Sequence, residues 1–113
     1  MRKVRALVPL SELERATMSG AIDVATLYTT DDFIDSEIVR ARTLALENNE
    51  PIVLSVHRSR NAADSVAGRR KQQDRWVSVS GLWIGVRAIP FPEDYRGFKG
   101  WHAVCLIPRA ITP

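Results

Sequence analysis

The 113-residue sequence is poor in cysteine, and this shortage narrows the class of protein. Its one cysteine, Cys105, lies in the apolar segment 101–107 and has no second cysteine with which to form an internal disulfide. A secreted scaffold held together by its own disulfides is therefore excluded. The apolar surroundings predict a buried, unreactive thiol.

The sequence also lacks a long apolar run. The longest uncharged stretch, 76–86, is too short to span a bilayer and contains several serines and glycines. The basic and then briefly apolar N-terminus is interrupted by Glu12 and Glu14, which is not the pattern of a signal peptide. We therefore expect a soluble protein of the reducing cytosol, with no membrane partner.

Lysine is scarce as well: thirteen of the sixteen basic residues are arginine. Residues 1–50 contain six basic and nine acidic residues (net −3), whereas residues 51–113 contain ten and four (net +6). This asymmetry predicts an acidic face and a basic face. Guanidinium groups match phosphate and carboxylate groups well, although an arginine-rich genome would produce the same bias.

The composition that remains is that of an ordinary globular domain, with 45% apolar and 26% charged residues. A chain of this length buries enough surface to fold as one domain over 1–113. The pattern of elements predicts an α+β fold, with two N-terminal helices packed on a largely antiparallel sheet of about four or five strands.

Two helices are expected in the N-terminal half. The first begins at Ser11 with a capping-box spacing and ends near Gly20. The second runs from about Asp31 to Asn48, with acidic residues in its first turn and a broad apolar face that includes Ile38. Residues 21–28 fit a helix or a strand equally well.

The C-terminal half favours strands. Trp76–Ser80 and Leu82–Ile89 alternate with period two around Ser80-Gly81, which predicts a hairpin. The nearly continuous apolar segment 101–107 predicts a central strand that is buried on both faces. Further strands are expected at 3–8 and 51–57, and a proline-containing loop at 90–97.

A basic segment connects the strand at 51–57 to the predicted hairpin. Residues 58–75 contain six basic and two acidic residues and show no apolar periodicity, so we expect a mobile, basic hairpin loop. Such a loop could follow a phosphate backbone, or it could be only a solvated surface loop. The candidate cations are Arg58, Arg60, Arg69, Arg70, Lys71 and Arg75.

Aromatic residues accompany these cations. Trp76 and Trp83 share their side of the predicted hairpin with Arg87, and this arrangement suits either base stacking or a small core. Trp101 lies among apolar neighbours, which favours the core.

These features lead to three functional hypotheses. The first is a small non-enzymatic module that binds nucleic acid or a phosphate backbone through the arginine-rich hairpin. The alternative is an inhibitor or adaptor that docks on an acidic protein, or sequesters a nucleotide-like anion, through a Trp/Arg face. The second alternative is a toxin-type, metal-free ribonuclease that uses His57 and His102 as acid and base. No residue spacing predicts a metal site or cofactor, and the oligomeric state is left open.

Overall fold

The structure, a computed structural model, describes residues 7–21, 33–77 and 81–109. Within these residues it contains four strands and four helices. In chain order they are β1 (Val8–Pro9), α1 (Leu10–Met18), α2 (Asp35–Asn48), β2 (Ile52–His57), α3 (Arg60–Lys71), α4 (Asp74–Val77), β3 (Leu82–Ala88) and β4 (His102–Pro108).

The strands form one antiparallel sheet with the order β1-β2-β4-β3. The predicted α+β class and the antiparallel sheet are therefore confirmed. The predicted central strand is also confirmed, because β4 pairs on both sides and is buried from Ala103 onward. Strands β2 and β3 run in the same direction, with α3 between them in the chain and β4 between them in the sheet. This arrangement is a split β-α-β unit.

Helices lie on both sides of the sheet. Apolar residues of α2, α3 and α4 pack with Ile52, Leu54 and Leu106 on what we call the three-helix face. Leu10 and Leu13 of α1 join Val53, Val56 and Cys105 on the opposite side, the α1 face. Strands β2, β3 and β4 therefore supply apolar side chains to two cores, as their period-two alternation requires.

The two N-terminal helices differ from the expected ones at their starts. Helix α1 begins one residue before the expected Ser11, whose hydroxyl donates to Oε1 of Glu50 over 2.7 Å. Helix α2 begins at Asp35, where Glu37 Oε1 accepts from the backbone N–H of Ile34. It ends at Asn48 as predicted. Position 31, where this helix was expected to begin, and residues 22–28 of the undecided segment 21–28 lie outside the described residues.

The prediction of a mobile hairpin loop at 58–75 is wrong, because most of this segment is helix α3. Ser59 caps the helix by accepting from the backbone N–H of Ala62 over 3.1 Å. The buried residues Ala63, Val66, Ala67 and Arg70 lie at helical spacing. The helical periodicity of this segment cannot be seen from large apolar residues alone, because two of these four residues are alanines and one is an arginine.

The predicted strand at 76–80 is wrong at Trp76 and Val77, which lie in the short helix α4. Residues 78–80, the rest of that strand, lie outside the described residues. Strand β3 pairs with β4, so Trp83 lies opposite Ile107 and Gly85 opposite Cys105. The connection between β3 and β4 contains the loop at 90–97, which forms neither helix nor strand, as expected.

Cys105 is a core residue, as predicted. It lies in the middle of β4 and is completely buried on the α1 face. Burial raises the pKa of its thiol to about 12, because the thiolate would be poorly solvated there. At neutral pH the side chain is a small neutral thiol that fills space in the core.

Candidate nucleic-acid interface and buried polar network

The structure divides the predicted site residues between the surface and the interior. Arg58, Arg60, Arg69, Lys71 and Arg75 are exposed. Arg70 and Trp76 are buried, with 1% and 0% of their surface exposed. Neither side chain can meet a macromolecular ligand at the surface, so the structure leaves five candidate cations in the basic segment.

Arg70 belongs to a buried cluster on the three-helix face. Its guanidinium carbon lies 4.9 Å from the centre of the Phe33 ring and 5.5 Å from the Trp76 ring. The two rings meet edge to face at 4.9 Å. The Nη1–H group of Arg70 donates a hydrogen bond to Oγ of Ser55 over 2.9 Å. These contacts tie α3 and α4 to strand β2, which is a structural role.

A β-bulge places Ser55 in this cluster. The pairing of β2 with β4 shifts between Val53 and Ser55, so the alternation of side chains changes there. Ser55 and His57 consequently point to the three-helix face, while Val56 points to the α1 face. Because the guanidinium of Arg70 can only donate, Ser55 Oγ is the acceptor of this hydrogen bond. The serine hydroxyl can therefore donate its own hydrogen to Nε2 of His57, 2.8 Å away.

The structure brings together the two histidines that lie 45 positions apart in the sequence. His57 and His102 are directly paired across β2 and β4, so their side chains leave the same face of the sheet. His57 is 6% exposed, whereas His102 is half-buried. Nδ1 of His102 lies 2.8 Å from the carbonyl oxygen of Gly100, which can only accept. The proton is therefore on Nδ1, and Nε2 of neutral His102 carries the lone pair.

Two of the exposed cations are already engaged. Arg75 donates to the carbonyl of Phe33 over 3.3 Å and lies 3.8 Å from the carboxylate of Asp35. Arg60 lies 3.7 Å from Asp64, one helical turn further along α3. Both ion pairs are solvent-exposed and weak, so an approaching phosphate could replace the carboxylate.

Arg87 and Trp83 lie elsewhere, on the α1 face of β3. The Arg87 guanidinium carbon is 5.4 Å from the centre of the Trp83 ring. A Cβ at position 85 would lie 2.7 Å from the indole, so glycine is what allows Trp83 to lie along the strand. The predicted partnership of these two residues is therefore present, but β3 and the basic segment do not form one hairpin.

A third group of aromatic and basic side chains lies where β2 ends and β4 begins. Arg58 lies 5.6 Å from the ring of Trp101, and Phe98 meets the same ring edge to face at 6.3 Å. Trp101 is 5% exposed, whereas Phe98 is 55% exposed. Together with the exposed Lys99, these residues form what we call the Trp101 patch.

Gly100 makes the Trp101 patch possible. A Cβ at this position would overlap the Phe98 ring and lie 3.1 Å from the carbonyl oxygen of Arg58. Lys99 is anchored by a bond from Nζ to the carbonyl of Glu93 over 3.1 Å. The patch therefore combines an open aromatic ring and one cation, Arg58, against a buried indole, with Lys99 next to Phe98 in the chain.

Sequence reasoning missed Phe98 and Lys99 as site residues. Phe98 lies in a polar loop between Gly97 and Gly100, and neither glycine has a side chain that could cover its ring. This pattern could have predicted an exposed aromatic residue. It also missed the role of Ser55. The alternating polar pair Ser55 and His57 in an otherwise apolar strand indicates a shared face with polar contacts.

Comparisons with known proteins supply no relative. No family model matches the chain, and searches of curated proteins and of solved structures find no match either. Within the described ranges, no helix is both long enough and apolar enough to cross a bilayer. The surface of the described residues is therefore the only guide to function.

Proposed function

We propose that this protein is a small nucleic-acid-binding module whose contact surface is the Trp101 patch together with the exposed cations of α3. The observation that supports this proposal is the Phe98 ring, which is 55% exposed and meets the same buried Trp101 ring as Arg58 does. Open aromatic rings next to cations are the usual means by which proteins hold single-stranded nucleic acids.

Trp101 packs into the core on the α1 face and α3 packs on the three-helix face, so the proposed surface passes around the end of the sheet where β2 leads into α3. Arg58 lies at the patch, Arg60 begins α3, and Lys71 ends it roughly 16 Å further along the helix axis, at 1.5 Å per residue. Contacts of such cations to phosphates provide affinity and orientation without reading the sequence. Because Phe98 offers only a ring face, stacking also tolerates any base. The proposed ligand is therefore single-stranded RNA or DNA of mixed sequence.

Binding of fluorescent single-stranded oligonucleotides at low salt tests the proposal. Phe98→Ala removes the stacking ring, and we expect it to weaken binding by about 5- to 150-fold, which corresponds to about 1–3 kcal/mol per stacked base. Phe98→Trp keeps a ring and should bind within a few-fold of the wild type. Binding to double-stranded oligonucleotides should be weaker and nearly indifferent to both variants.

Two results would contradict the proposal. One is a wild-type protein that binds no nucleic acid at low salt. The other is an equal affinity of Phe98→Ala and the wild type for single strands, with both proteins folded by circular dichroism.

RNA cleavage is a second candidate, favoured by the direct pairing of His57 and His102. In this reaction the 2′-oxygen attacks phosphorus, its proton passes to Nε2 of His102, and the bond to the 5′-oxygen breaks. The leaving oxygen takes a proton from His57 when that imidazole is protonated on both nitrogens, or from water. The burial of His57 makes this the weaker candidate, because substrate would reach His102 first.

Incubation of RNA with the protein in the presence of a chelator tests this second candidate. We expect products that end in a 2′,3′-cyclic phosphate, and no cleavage when the 2′-hydroxyl at the site is methylated. His102→Ala should abolish cleavage and leave binding of single-stranded DNA unchanged. RNA that stays intact with the wild-type protein would remove the candidate while leaving the binding proposal in place.

A further inference from the structure

Gly100 is the residue at which three parts of the proposed interface meet. A Cβ at this position would lie 2.4 Å from the tip of the Phe98 ring and 3.1 Å from the carbonyl oxygen of Arg58. The carbonyl oxygen of Gly100 itself accepts from Nδ1 of His102 over 2.8 Å. The stacking ring, the backbone of Arg58 and the imidazole of His102 are therefore held around one residue at the end of the sheet.

His102 stands at the rim of the three-helix face. It is the first residue of β4, and its neighbours across the sheet are the last residues of β2 and β3, which are His57 and Ala88. Two residues after His57, at Ser59, the chain caps α3. The half-buried imidazole of His102 therefore lies where the proposed surface turns from the Trp101 patch toward α3.

Nε2 of His102 is an acceptor that the protein does not use. Because the proton of the neutral imidazole is on Nδ1, Nε2 carries a lone pair. Within the described ranges no group donates to Nε2, and this nitrogen is not among the buried polar atoms, so it is open to solvent. Phosphate oxygens are acceptors too, so this lone pair selects an O–H or N–H group of a ligand.

We propose that Nε2 of His102 accepts a hydrogen bond from the 2′-hydroxyl of a ribose, so that the interface prefers single-stranded RNA to single-stranded DNA. The inference rests on the nucleic-acid binding proposed above. The N–H groups of the bases differ from one base to the next, whereas every ribose carries a 2′-hydroxyl. The 2′-hydroxyl is therefore the donor that suits a surface whose ring and cations tolerate any sequence.

The three groups around Gly100 then match the three parts of a nucleotide. The Phe98 ring stacks on a base, the guanidinium of Arg58 contacts a phosphate, and Nε2 of His102 accepts from a sugar. The contact with the 2′-hydroxyl is a hydrogen bond in the bound complex, and no covalent bond forms or breaks. It therefore does not depend on the cleavage reaction.

Affinities for one mixed-sequence single strand, made as RNA and as DNA with uracil in both, test the inference. At pH 8, where imidazole side chains are ordinarily neutral, the RNA should bind about 2- to 12-fold more tightly, as one net hydrogen bond provides. The same strand with 2′-fluoro sugars cannot donate from the 2′ position, and it should bind like the DNA.

Two variants separate acceptance by His102 from the rest of the interface. His102→Ala removes the acceptor, so its affinity for RNA should fall to the level for DNA while its affinity for DNA stays unchanged. Phe98→Ala is the matched control, because it should weaken the binding of both strands and leave the ratio of the two affinities unchanged. The ratio is the deciding measurement, since a loosened Trp101 patch would lower both affinities together.

Equal affinities of the wild type for RNA and DNA would overturn the inference, and if both still depended on Phe98 the proposed function would stand. A preference for RNA that persists in His102→Ala, or that extends to the 2′-fluoro strand, would also overturn it. Wild-type protein that binds neither strand at low salt would overturn the inference and the proposed function together.

Discussion

Arg58 and Arg70 belong to the same basic segment, yet they lie in opposite environments. Arg58 is exposed at the surface of the sheet end and stacks on Trp101. Arg70 is 1% exposed, bonded to Ser55 and placed between the rings of Phe33 and Trp76. The difference shows that the position of each cation in the fold, and not the local density of charge, decides which cations are available to a ligand.

The first prediction sets Arg70 against its neighbour Lys71. Arg70→Ala empties a large buried volume and leaves the Ser55 hydroxyl without its donor, so it should lower the free energy of unfolding by about 3 kcal/mol or more. Lys71→Ala removes an exposed cation at the end of α3 and should change it by less than about 0.5 kcal/mol. Urea denaturation of the two variants measures both values.

If the two variants had similar free energies of unfolding, the proposed difference between the buried and the exposed cation would be contradicted. The expected difference also has a practical consequence. A variant that replaces Arg69, Arg70 and Lys71 together cannot be used to test nucleic-acid binding, because loss of Arg70 should destabilise the fold as well as remove charge.

The second prediction concerns the partner of Arg70. Ser55→Ala leaves the buried guanidinium without one of its acceptors, and the free energy of unfolding should fall by about 1–3 kcal/mol. The matched control is Ser65→Ala on the exposed side of α3, which should be neutral within about 0.5 kcal/mol. If Ser55→Ala were as stable as the control, the buried hydrogen bond would contribute nothing.

The third prediction tests the N-terminal cap of α3 at Ser59, the residue between Arg58 and the first residue of the helix. Ser59→Ala removes the side-chain acceptor for the N–H of Ala62 and should lower the free energy of unfolding by about 1 kcal/mol. Ser59→Asp keeps an acceptor and should retain most of that stability. Equal losses for both variants, measured by thermal or urea unfolding, would show that the cap does not stabilise the helix.

The sequence predicts the elements whose apolar residues follow a clear period. Helix α2, strand β2 and the central strand β4 were expected close to their observed positions. Helix α3 was not predicted, because Ala63, Ala67 and Arg70 do not form a recognisable apolar face in the sequence. They are seen as a core face only when the structure shows that Arg70 is buried. Pairing of the edge strand depends on contacts distant in sequence, so the position of β3 beside β4 could not be read from the local alternation around Ser80-Gly81.

The site was only partly predictable for the same reason. The cations Arg58 and Arg60 were expected at the surface and are found there. The aromatic partner was misassigned, because Trp76 lies in the core and Phe98 is the ring that is exposed. The link between Arg58 and Phe98 passes through Trp101, about 40 residues from Arg58 in the sequence. Such a contact requires the three-dimensional structure.

The smallest expected change, and the most direct test of the proposed interface, is the salt dependence of single-strand binding. Arg58→Ala should reduce the slope of log K against log salt by about 0.7, because one phosphate contact is lost. Arg15→Ala removes an exposed cation of α1 that is not part of the proposed interface, and it should leave the slope unchanged. A slope for Arg58→Ala equal to that of the wild type would contradict the assignment of Arg58 to the interface.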